Sequence, residues 1–175
     1  LELARREDLK PDEIERVAVY FPRFDYVNRP NPRSGLDGKF SIQYATTVAL
    51  LDRGIRIESF SDERLHAADV QQLLPNVKLN IRDDIPRDFQ DTYAIVHVFT
   101  GDGRELVERC DKPRGLWGVP LTRDERLAKV LNCTEAALPK AEIDELIELV
   151  EGLETQKNVH RIMEICTGAK GAYQE

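Results

Sequence analysis

The sequence predicts an α+β domain: an antiparallel sheet of about four strands with helices packed on one face. Three observations carry that expectation. Residues 14–21 and 77–81 alternate apolar and polar side chains, the period of a half-buried strand. Residues 93–110 read as two strands joined at Gly101-Asp102-Gly103, a hairpin turn. Residues 40–51 and 141–153 space apolar side chains three and four apart, the period of a helix with one buried face.

Taken in order, residues 1–7 read as the end of a helix, and Pro11 turns the chain into the first strand. There Ile14, Val17, Val19 and Phe21 share a side, with one irregular step. Residues 22–38 hold three prolines and two glycines, and form a loop carrying Arg23, Arg29 and Arg33. Loops of that length are functional or unstructured. The helix over 40–51 shows a stripe of Phe40, Tyr44, Val48 and Leu51, and Gly54 is placed to end it in a left-handed turn. Ser61 opens a short helix, and 67–74 form another, closed by Pro75. Val77, Leu79 and Ile81 mark a strand, and Tyr93, Ile95, His97 and Phe99 share a face of the next. Thr122 with Glu125 spells a capping box for a helix reaching about residue 137. Pro139 separates it from the 141–153 helix, and 158–166 supply one more. From Thr167 the composition predicts a flexible tail.

The 175 residues, 41% hydrophobic, suffice for one domain with a helical extension. A net charge of −7 argues against nucleic-acid binding by bulk electrostatics. Cys110, Cys133 and Cys166 are widely spaced, with no Cys-x-x-Cys, which argues against disulfides or zinc and for reduced thiols in the cytoplasm. No apolar run approaches the ~20 residues of a membrane span, and no signal peptide opens the chain. His66, His97 and His160 fall in no metal-ligating spacing, so no metal is expected. Trp117 either packs within its Gly/Pro loop or anchors a partner.

The segment "GLDGKFSIQY" over residues 35–44 carries the candidate chemistry. A helix entrance offers unpaired backbone N–H groups and the positive end of the dipole. Gly38 permits close approach, Lys39 adds a full charge, and Ser41 and Gln43 offer polar groups in the first turn. Tyr44 supplies either a phenol to this site or a ring to the core. Such a constellation suits a small carboxylate or phosphate. A solvated lysine, with loop arginines neutralised by Asp25 and Asp37, is the plainer alternative. No acid–base machinery accompanies it.

Residues 27–65 resemble the C-terminal part of the MmgE/PrpD family, which includes 2-methylcitrate dehydratases, cis-aconitate decarboxylases and iminodisuccinate epimerases. The residues that carry the resemblance are Gly35, Leu36, Lys39, Phe40, Ser41, Tyr44, Gly54, Phe60, Ser61, Asp62 and Glu63. Asp102-Gly103, then Pro120-Leu121-Thr122 and Lys129, continue it in order. Val119 and Val130 depart from the family's usual Asn and Phe.

The resemblance implies that residues 1–166 are a small α+β lid domain, with 167–175 a tail and the family's N-terminal helical domain absent. It also accounts for a chain that opens inside a helical pattern without Met. The implied activity is cofactor-free elimination, decarboxylation or epimerisation of a small di- or tricarboxylate. In it Lys39 is catalytic, Gly38, Ser41 and Tyr44 bind substrate, and the base comes from the helical domain. The isolated chain is then inactive. A second reading makes it a non-catalytic dimerisation or partner-binding module, a homodimer through Trp117 or the 141–165 helices.

Overall fold

The computed structural model describes residues 1–116 and 118–167. The expectations for Trp117 and for a tail from Gly168 onward lie outside the described residues. The chain divides into two compact units, Leu1–Pro120 and Leu121–Glu175.

The first unit contains the sheet. Its strands are β1 (Ile14–Phe21), β2 (Val77–Ile81), β3 (Ala94–Thr100) and β4 (Glu105–Cys110), in the spatial order β2-β1-β3-β4. β1 pairs antiparallel with β3, and β3 with β4 through the hairpin, where Gly103 takes φ 87. The irregular step in β1 is a register shift between Ile14 and Arg16. One edge departs from the antiparallel expectation, because β2 runs parallel to β1, with Val17 opposite Val77 and Phe21 opposite Ile81. Fifty-odd residues of helical crossover separate these strands, which is what a parallel pair requires.

Helices cover one face of this sheet. They are α1 (Glu2–Arg6), α2 (Gly35–Gly38), α3 (Ile42–Asp52), α4 (Asp62–Leu65) and α5 (Ala68–Leu73). Val17, Val19, Val77 and Val98 meet Leu3 and Ala4 of α1, Leu50 of α3 and Leu73 of α5 in the main core. A second cluster of Tyr44, Val48, Leu65, Val70 and Leu74 joins α3 to α4 and α5. Arg64 ties the same elements together, reaching Asp52 at 2.6 Å and Asp69 at 2.7 Å. The other face of the sheet carries Arg16, Tyr20, His97 and Phe99, with Tyr20 edge-on to His97 and Arg16 over the Phe99 ring.

Two helix boundaries differ from the sequence reading. The helix expected over 40–51 begins at Ile42, because Ser41 caps it by accepting the Tyr44 N–H at 3.0 Å. Its left-handed end residue is Arg53, at φ 51, in place of Gly54.

The second unit contains α6 (Arg123–Thr134), α7 (Lys140–Glu151) and α8 (His160–Cys166). The capping box forms as expected: Thr122 accepts from the Glu125 amide, and the Glu125 carboxylate accepts from the Thr122 amide at 2.8 Å. Arg123 pairs with Glu151 and Arg161 with Glu145, linking α6 to α7 and α7 to α8.

Candidate functional site

Residues 35–44 fold differently from a single helix entrance, and the difference follows from local capping. Ser34 accepts the Asp37 N–H at 3.1 Å and starts a separate one-turn helix, α2. Ser34-x-x-Asp37 is the sequence signal for this turn. Lys39 therefore closes α2 and stands two residues ahead of the α3 cap. The amides of Gly38, Lys39, Phe40 and Ser41 donate to the carbonyls of Ser34, Leu36, Asp37 and Gly38 at 3.0–3.2 Å. These four N–H groups are committed within the turn.

The remaining predicted residues are built into the same knot. Ser41 is buried, and its hydroxyl donates to the Arg29 carbonyl at 2.6 Å while accepting from Tyr44. Tyr44 is fully buried, and its phenol donates to the Ser59 carbonyl at 2.5 Å. Burial pushes that phenol's pKa up, with a smaller opposing pull from Arg64, so the proton stays on the donor. Gly38 is where the Tyr44 ring passes closest, since a Cβ there would lie 2.6 Å from Tyr44 Cδ1. Gln43 is buried and donates to Asn28 Oδ1 at 2.7 Å, fastening the proline-rich loop to α3.

The two halves of the motif meet in space. The Gly35 N–H donates to Asp62 Oδ1 at 2.6 Å, and a Cβ on Gly35 would lie 2.0 Å from the Phe60 carbonyl oxygen. Ser61 caps α4 by accepting the Arg64 N–H at 3.1 Å. Glycine is required at 35 by this close backbone approach, not by an unusual φ. The Tyr44 and Phe60 rings lie 6.1 Å apart, and the Lys39 ammonium sits 5.8 Å from the Phe60 centroid.

Lys39 itself is exposed, and among the described residues its ammonium has no carboxylate partner. Its neighbours Leu36 and Phe40 are 65% and 49% exposed, a high value for large apolar side chains in one turn. A shallow cleft of about 300 Å³ opens beside them, lined by Arg29, Ser34, Leu36, Asp37 and Phe40. Lys39 is not among its lining residues, and the cation inside it, Arg29, is already paired with Asp37. This pairing matches the plainer alternative that the sequence offered, a loop arginine neutralised by Asp37. No group of three or more His, Cys, Asp or Glu among the described residues is placed to hold a metal ion.

Asp37 makes the turn sensitive to pH. The Arg33 N–H at 3.0 Å and then the Arg29 guanidinium hold its carboxyl below the usual carboxylate range. A depressed folded pKa gives stabilisation that is present in full above the unfolded value of about 4 and is lost as pH falls through the folded value. Amide protection over residues 29–41, taken relative to the intrinsic exchange rate at each pH, is expected to fall below about pH 4, and Asp37→Asn should flatten that dependence. Hydrogen exchange measured from pH 2 to 6 checks both.

Comparison with known proteins gives this arrangement its context. The C-terminal domain model of the MmgE/PrpD family matches residues 1–155. The chain belongs to the MmgE/PrpD family. Mouse cis-aconitate decarboxylase is 34% identical over 143 residues, which cover 82% of this chain and 29% of the relative. Human cis-aconitate decarboxylase is 32% identical over 152 residues, 87% of this chain and 32% of the relative. This MmgE/PrpD chain thus spans about a third of the length of the curated relatives it matches. No helix among the described residues is long and apolar enough to cross a membrane.

Proposed function

We propose that this chain is the lid portion of an MmgE/PrpD lyase or isomerase acting on a small di- or tricarboxylate, of the kind a 2-methylcitrate dehydratase or cis-aconitate decarboxylase uses. One observation supports the reading above others: an ammonium with no carboxylate partner among the described residues, on a turn that the hydrogen bonds of Ser41 and Tyr44 to loop carbonyls hold in place. Lys39 contacts a substrate carboxylate and offsets the negative charge that grows there as the adjacent C–H proton leaves. Gly38, Ser41 and Tyr44 hold that turn in place, and through it the ammonium. The proton acceptor belongs to the remaining two thirds of a family-length polypeptide, the helical domain. The exposed Leu36 and Phe40 are suited to lie against that domain when the lid is closed. The reaction needs no cofactor, because the carboxylate itself delocalises the developing charge.

Three exposed free cysteines are in keeping with a reducing, cytoplasmic setting. The test is turnover. The 175-residue chain alone should leave cis-aconitate and 2-methylcitrate unchanged, while a family-length polypeptide containing it should convert one of them. Appreciable turnover by the chain alone would overturn the division of labour.

A further inference from the structure

Four arginines from three places in the first unit line one concavity. Arg5 comes from α1, Arg53 and Arg56 from the loop that leaves α3, and Arg64 from α4. The cleft they share measures about 560 Å³, the size of a small-molecule site, and the carboxylates in its wall are those of Asp52 and Glu58. On a chain of net charge −7, a concavity with more guanidinium groups than carboxylates reverses the overall sign.

The four arginines are not equally engaged. Arg64 is held at both ends of its fork, by Asp52 at 2.6 Å and by Asp69 at 2.7 Å. Arg53 pairs with Asp8 at 2.9 Å and donates to the Leu9 carbonyl at 3.0 Å. Arg5 is held loosely, 3.3 Å from the Arg53 carbonyl and 3.9 Å from Glu2. The Arg56 side chain is exposed and has no carboxylate partner among the described residues. Its backbone is fixed, because the Arg56 N–H donates to Ser59 Oγ at 3.1 Å. Arg53 also stands at φ 51, the left-handed position that the adjacent glycine would occupy more easily. Backbone strain of this kind collects at ligand clamps.

We propose that this cleft binds a phosphate monoester. Arg56 and Arg5 donate to the phosphate oxygens, and Arg53 adds charge. Guanidinium groups from separate elements reach one volume from different sides. A carboxylate accepts in a single plane, whereas a phosphate presents its oxygens tetrahedrally and takes several forks at once. Ile55, 45% exposed, lies in the same wall and offers an apolar contact to the organic part of an ester. Lys39 does not line this cleft, so the inference stands apart from the carboxylate role proposed for Lys39.

The test is a titration of the ¹⁵N-labelled 175-residue chain with phenyl phosphate, inorganic phosphate and citrate, followed by amide shifts at constant ionic strength. Phenyl phosphate should give saturable shifts centred on residues 53–59, with a Kd on the order of 0.1–1 mM. Inorganic phosphate should move the same amides at about three- to tenfold weaker affinity, and citrate should bind there at least tenfold more weakly than phenyl phosphate. Arg56→Ala should weaken phenyl phosphate about tenfold or more with an unchanged melting curve. Arg56→Lys, which keeps the charge and loses the fork, should fall between the two. Lys39→Ala should leave phenyl phosphate binding as it is. The absence of saturable shifts up to about 20 mM phenyl phosphate overturns the proposal. So does binding indifferent to both Arg56→Ala and Arg5→Ala, or citrate held in the cleft as tightly as phenyl phosphate. Inorganic phosphate bound as tightly as phenyl phosphate overturns the ester as ligand. Loss of binding in a family-length polypeptide means that the rest of the protein covers the cleft, and overturns it as well.

Discussion

Gly35→Ala is expected to lose about 3 kcal/mol of stability and to melt roughly 10 °C or more below the parent chain. The added Cβ would sit 2.0 Å from the Phe60 oxygen, 2.5 Å from its carbonyl carbon and 2.6 Å from the Ser61 carbonyl carbon. All three are backbone atoms, so no side chain can rotate to make room. Relief comes only by pulling α2 away from the Glu58–Phe60 turn, which breaks the Gly35–Asp62 hydrogen bond and drags Lys39 with it. Gly38→Ala should cost less, because its Cβ meets a ring edge at 2.6 Å and that ring can shift slightly. Thermal melts followed by circular dichroism decide the matter. A Gly35→Ala variant melting within about 2 °C of the parent would mean that the two halves of the motif are not clasped as described.

Lys39→Ala should behave in the opposite way, with unchanged stability and lost function. The side chain is exposed and its ammonium lies 5.8 Å from the Phe60 centroid, the long end of cation–π range, so its removal should shift the melting temperature by no more than about 2 °C. In a family-length polypeptide the same change should lower kcat/KM on the order of 10²–10³-fold, the scale for removing one donor that stabilises developing negative charge. Lys39→Arg keeps the charge and should retain part of the activity. Steady-state kinetics on cis-aconitate or 2-methylcitrate, with melts on the same preparations, separate the two effects. A variant that is both active and stable would remove Lys39 from the site.

Much of the architecture is legible in the residues, and what is not has identifiable causes. β1 and the 94–110 hairpin are legible because period-2 alternation and a Gly-Asp-Gly turn act locally. The parallel pairing of β2 with β1 is not, because direction depends on where the intervening helices carry the chain. The start of α3 was misplaced by two residues because Phe40 fits the apolar stripe, whereas a hydroxyl at Ser41 satisfies an otherwise unpaired amide. At the site, the residue types were legible as a motif, but their partners were not. The acceptors for Ser41 and Tyr44 are the carbonyls of Arg29 and Ser59, 12 and 15 positions away. No spacing rule reveals backbone acceptors in loops. Ser41 reads from sequence as a polar group offered to a ligand and Tyr44 as either a site phenol or a core ring; in the fold both hydroxyls donate to loop carbonyls beside the Lys39 turn.

The central claim is that the Lys39 ammonium is the group on this chain that recognises a carboxylate. The most direct test is a citrate titration of the ¹⁵N-labelled chain and of its Lys39→Ala variant, followed by amide chemical shifts at constant ionic strength so that general screening is held fixed. The account predicts saturable shifts centred on residues 36–41 in the parent chain and their loss in the variant. Equal shifts in both proteins, or shifts confined to the arginine-lined cleft around Arg53, Arg56 and Arg64, would contradict it.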